Sequence, residues 1–258
     1  MSGKPASHRL PSPQSESRVS AAMEEEHLGA AAVVGKKFCS EEERELTVRK
    51  TSLFFPGDGF AAYDHKTGEL IFRVDTYARR EPSFSDHHLL LMDPDGHPIL
   101  TLRRKWPSLH QRWEAFVGER SEGQKPLFAV RRSSIFGRDR SCFAVEVHQS
   151  GGSEEEYRIE GSFAQRCCRV LYEGGGGEEA VILAEIKRKV DACSQVVLGR
   201  DVFSLCLRPR CDAAFAMALV IVLDKITGDN DDVILEEQVS SSAEDPSPII
   251  DQQKPADH

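Results

Sequence analysis

DAAFAMALVIVLDKI, residues 212–226, holds eleven consecutive apolar residues from Ala213 to Leu223, with an aspartate on either side. A membrane-spanning helix needs about twenty apolar residues, so this run is too short to cross a bilayer and predicts a core helix. Asp212 stands where an N-cap or first-turn acid favours the helix dipole. Lys225 falls in the last turn, and Gly228 is the expected stop. A helix that is apolar on every side must be covered on every side.

The residues ahead of it supply the cover. LTVRKTSLFF (46–55) ends at the turn cluster Pro56-Gly57-Asp58-Gly59, and FAAYD (60–64) and LIFRVD (70–75) flank His65-Lys66-Thr67-Gly68. HLLLM (88–92) and ILTLRRK (99–105) flank Asp93-Pro94-Asp95-Gly96, where Pro and Gly each suit a particular turn position. Further short runs follow at 112–117, 127–131, 143–147, 157–163, 165–172, 180–188 and 202–208. Each strand offers one apolar face. The fold expected is mainly β: a twelve-stranded closed antiparallel barrel enclosing the C-terminal helix, which removes sheet edges and gives each helix face a partner. A β-sandwich with an appended helix is the competing architecture, but such a helix would show a polar outer stripe, and this one has none.

Both ends differ in composition. Residues 1–37 are rich in Ser, Pro, Ala and Glu without apolar periodicity, and 228–258 carry nine acidic residues against one lysine. Segments of this kind bury too little surface to offset ordering entropy, so both are expected to be disordered tails around one domain at 38–227. The seven cysteines show no CxxC or Cys/His ligand spacing, and no leader sequence is visible, so reduced thiols in an intracellular protein are expected. The expected location is cytoplasmic, with peripheral plasma-membrane or nuclear placement as the variants.

Charge is unevenly placed. Residues 99–140 hold ten Lys/Arg and four acids, a net +6, so the remainder of this −9 chain carries −15. A basic block in an acidic protein steers anionic partners. The candidate ligand-binding cations are Arg103, Arg104, Lys105, Arg112, Arg131 and Arg132, near Trp106. They suit anionic phospholipid head groups, each cation contributing about 1 kcal/mol near an anionic surface. The alternative is structural: Arg104 or Arg112 stacking on Trp113, or pairing with Glu114 and Glu119. Acidic overall charge and the lack of a groove-reading helix argue against nucleic acid.

Other motifs add little. Arg131-Arg132-Ser133-Ser134 fits a basophilic kinase site, though such short patterns arise readily by chance. Asp229-Asn230-Asp231-Asp232 lacks the glycine and glutamate of a calcium-binding EF-hand loop. No nucleophile elbow, metalloprotease helix or catalytic cysteine signature appears, so neither enzyme activity nor a cofactor or metal is expected.

LTVRKTSLFFPGDGFAAYDHKTGELIFRVDTY (46–77), LLLMDPDGHPILTLRRKWPSLHQRWEAFVGE (89–119) and DAAFAMALVIVLDKI resemble the plant LURP-one-related family over Val33–Thr227. LTLRRKWPSLHQRWEAFVGE is the most specific phrase. The resemblance implies a barrel around a hydrophobic helix, similar to the Tubby C-terminal domain and the phospholipid scramblases. It implies no enzymatic activity. The family's founding member is linked to basal defence, and Tubby-like proteins bind phosphatidylinositol bisphosphate. A phosphoinositide- or membrane-surface-binding module in plant defence signalling is therefore expected. The alternative is a protein-interaction or transcription-associated regulator without lipid binding.

Overall fold

The computed structural model describes residues 32–50, 59–77, 88–108, 111–119, 123–133, 142–148, 154–173, 180–191 and 194–241, with backbone alone at 76–77, 154 and 229–241. Twelve strands follow one another: β1 Arg44–Lys50, β2 Phe60–Asp64, β3 Leu70–Tyr77, β4 His88–Met92, β5 Pro98–Arg104, β6 Trp113–Val117, β7 Phe128–Arg132, β8 Cys142–His148, β9 Glu154–Ser162, β10 Cys167–Glu173, β11 Val181–Arg188 and β12 Val202–Leu207. Each pairs antiparallel with the next, and β1 pairs with β12, so the sheet closes on itself. The expected barrel is the one observed.

Strand alternation decides what lines the lumen. On β1 Leu46 and Val48 are fully buried, and on β12 so are Phe203 and Leu205. The helix α1 begins at Ala213 inside this lining, and every residue from Ala213 to Leu223 is 2% exposed or less. Phe215 meets Phe128 and Tyr157 edge-on, with ring centroids 5.0 and 5.2 Å apart. The apolar helix is thus the barrel's core.

Two boundaries differ from the sequence expectation. Gly228 does not stop the helix, whose backbone continues to Ser241. Glycine inside a helix costs only about 1 kcal/mol, which neighbouring turns can absorb. At the other end, residues 33–37, assigned to the N-terminal tail, are docked. Val33 and Val34 pack against the core, and Lys36–Phe38 forms a 3-10 turn. Residues 1–31 and 242–258 lie outside the described residues, as do the end of the first expected strand at 51–55 and Ser134.

The β9–β10 corner is tightly packed. Gly161 has φ +103°, and a Cβ there would lie 2.2 Å from the Cys167 carbonyl oxygen. Arg166 fills the turn that follows. It is 7% exposed, stacks on Phe163 and Phe203 at 4.1 and 4.5 Å, and donates to the Phe163 and Arg200 carbonyls.

Candidate anionic-ligand site at the barrel rim

An up-and-down barrel sorts its connections between two rims. The helix starts at the rim where β12 ends and β1 begins, and leaves at the opposite rim. There Lys50, the last residue of β1, meets Asp224 of the helix at 3.0 Å. Arg132, the last residue of β7, donates to the Ile226 carbonyl at 3.3 Å. The connections β5–β6 and β7–β8 fall at this exit rim, so chain order alone brings the six candidate cations to one end of three neighbouring strands.

Strand parity then divides them. Arg103, Lys105, Arg112 and Arg131 belong to the outer face. Glu114 lies opposite Arg103 in the register and receives Lys105 Nζ at 2.9 Å, with Arg112 Nε at 3.8 Å. Glu146 on β8 bridges Arg112 at 3.0 Å and Arg131 at 2.8 Å. Burial pushes the Glu146 carboxyl up, but the Arg131 hydrogen bond and the two guanidinium charges outweigh it and hold the group below the usual carboxylate range. These cations form a belt across β5 to β8. Arg103 Nε is buried without a hydrogen-bond partner.

Arg104 and Arg132 have the parity of Leu100, Leu102, Phe128 and Val130, so they stand at the lip of the lumen. The Arg132 guanidinium donates to Gln111 Oε1 at 2.9 Å as well as to the helix. Arg104 lies opposite Trp113 in the register, but its guanidinium stacks on Trp106, 4.3 Å from the ring centroid. Trp106 is 58% exposed and precedes Pro107 through a cis bond. Among the described residues the rim therefore presents a planar cation stacked on a well-exposed indole. The structural role weighed for Arg112 is present, with Glu146 as an added partner. For Arg104 the stacking ring is Trp106, not Trp113.

Chemistry elsewhere is muted. Cys167 is exposed and Cys168 buried, as adjacent strand residues should be. Burial pushes the Cys168 and Cys211 thiols up to about 12, so both stay protonated at neutral pH. Asp93, Asp95 and His97, a grouping missed in the sequence, bring their ligand atoms within 4.8 Å of one another in the β4–β5 turn. Asp93 already accepts from the His97 amide at 2.8 Å and contacts its ring at 3.1 Å, which accounts for the arrangement as a turn. Among the described residues no helix is long and apolar enough to cross a membrane.

The fold and rim define a closed β-barrel with an enclosed C-terminal helix and a cation-rich exit mouth. The chain belongs to the LURP-one-related family, whose sequence profile matches residues 44–224. It is 52% identical to LURP-one-related 12 of Arabidopsis thaliana over 219 residues, covering 84% of this chain and 94% of that relative. It is 54% identical to LURP-one-related 5 of the same plant over 214 residues, covering 83% and 97%. A crystal structure of another Arabidopsis thaliana protein superposes with a TM-score of 0.52 at 26% identity, covering 76% of this chain and 98% of that one.

Proposed function

We propose that this protein is a non-enzymatic module that binds the anionic head groups of a membrane surface, phosphoinositides foremost, through the exit rim. The stacked Arg104–Trp106 pair carries the reading. An exposed indole suits the interfacial zone of a bilayer, and a guanidinium held over it can pair with phosphate in two parallel hydrogen bonds. The belt of Lys105, Arg112 and Arg131 adds potential around this corner, although Glu114 and Glu146 offset much of its charge. A setting in plant defence signalling is implied by the family resemblance.

Co-sedimentation with phosphatidylcholine vesicles, with and without phosphatidylinositol bisphosphate, tests this. Wild type is expected to pellet with the phosphoinositide vesicles. Arg104→Glu/Trp106→Ala should weaken that binding about tenfold, since one charge reversal and one interfacial anchor are involved. Circular dichroism checks that the variant is folded. Equal binding by the two folded proteins would contradict the rim site, and no binding by wild type would favour a protein-interaction role.

A further inference from the structure

Six large apolar side chains are conspicuously exposed among the described residues, and four of them share one connection. Val190, Val196, Val197 and Leu198, between β11 and β12, are 46%, 58%, 48% and 37% exposed. They lie on a small ribbon. Val190 and Val197 form an antiparallel bridge, Leu198 N donates to the Lys189 carbonyl at 2.8 Å, and Asp191 N to the Val196 carbonyl at 2.9 Å. The turn is closed internally, with Asp191 Oδ1 accepting from Ser194 N and Oγ at 2.7 and 2.8 Å.

The ribbon's root is fixed to the barrel wall. Lys189 Nζ lies 2.7 Å from Glu45 Oε1 and 2.9 Å from His65 Nδ1, so the arm is held against β1 and the start of the β2–β3 turn. Bridge partners point to the same side of a ribbon, and their sequence neighbours to the other. Val190 and Val197 therefore share one face, and Val196 and Leu198 lie on the other together with Lys189 and Asp191.

We propose that this arm is a second membrane contact, entering the interfacial zone of an anionic bilayer with its exposed apolar side chains. The charge around the arm fits an anionic surface: residues 187–201 hold four Lys/Arg and two Asp in a chain of net −9. Arg188 and Arg200 are both exposed at its base. Lys187 and Lys189 are paired to Glu185 and Glu45. That leaves Arg188 and Arg200 as the exposed cations beside the apolar side chains, an arrangement suited to interfacial insertion. The inference rests on the membrane-binding reading above but not on the rim residues.

The test compares wild type, Val196→Glu/Val197→Glu and Val196→Trp on vesicles of phosphatidylcholine with phosphatidylserine. The glutamate pair should lose about tenfold in binding while its melting curve stays native, since both positions face solvent. In Val196→Trp the added indole should shift its emission to the blue on vesicle addition, beyond any change shown by wild type. Equal vesicle binding by wild type and the glutamate pair would overturn the arm and leave the membrane reading standing. Absence of wild-type binding to every anionic vesicle would end both. Unchanged vesicle binding together with loss of a dimer on gel filtration would assign the arm to a second copy of the chain instead.

Discussion

Leu219→Asp is expected to abolish the cooperative thermal transition. Leu219 is fully buried in the middle of the helix, and the barrel wall surrounds it. Aspartate there must either carry an uncompensated charge in an apolar interior or take up a proton, and it also leaves part of the leucine's volume empty. Burying an isolated carboxylate without a partner costs several kcal/mol, comparable with the whole stability of a domain, about 5–15 kcal/mol. Leu219→Met, which conserves volume, should cost less than about 1.5 kcal/mol. Scanning calorimetry of both variants checks the pair. A native melting temperature for the aspartate variant would show that this face of the helix is not enclosed.

Asp212→Ala should produce the second large effect, through a residue with two tasks. One carboxylate oxygen, Oδ1, accepts from the Ala214 and Phe215 amides, both at 3.0 Å, and so caps the helix. The other, Oδ2, accepts from the Val34 and Gly35 amides at 2.8 and 2.9 Å. The same side chain therefore starts the core helix and fastens the docked N-terminal segment to it at Val34 and Gly35. Asp212 is 4% exposed, so alanine leaves four amides without this acceptor at a site closed to bulk water. Hydrogen bonds to a charged group contribute roughly 1.5–3 kcal/mol each but are not additive; a loss of about 3–5 kcal/mol is expected in urea unfolding. Asp212→Asn retains one acceptor oxygen and should fall between alanine and wild type. If alanine changed stability by less than about 0.5 kcal/mol, the clamp would carry no weight.

The barrel was legible because three signals agreed along the chain. Alternation in segments such as Phe143, Val145 and Val147 marked one face, turn residues such as Asp93-Pro94-Asp95-Gly96 marked the hairpins, and the unbroken apolar run demanded enclosure. The N-cap at Asp212 was legible for the same local reason. Its hold on Val34 and Gly35 was not, because those amides lie 178 and 177 residues upstream and nothing local joins them. The end of the helix was misplaced because Gly228 was read as a stop, although a single glycine only weakens a helix.

The rim was partly legible. That Arg104 shares parity with Leu100 and Leu102 can be read from β5 itself. Its stacking on Trp106 depends on how the chain turns after the strand. The acids that engage Lys105, Arg112 and Arg131 sit on β6 and β8, so their pairing follows from sheet register and side-chain reach. The apolar arm at 190–198 gave no usable signal. A few valines beside a glycine resemble any strand fragment, and only the folded chain shows that they are left uncovered.

Hydrogen–deuterium exchange over residues 213–226, measured free and with phosphatidylcholine–phosphatidylserine vesicles, tests the central claim most directly. With the helix as barrel core and the membrane contact made elsewhere, these amides are expected to be among the slowest in the protein and to stay equally slow when vesicles are added. Fast exchange in the free protein, or a marked change in this segment on vesicle binding, would contradict the enclosed helix and return it to the membrane.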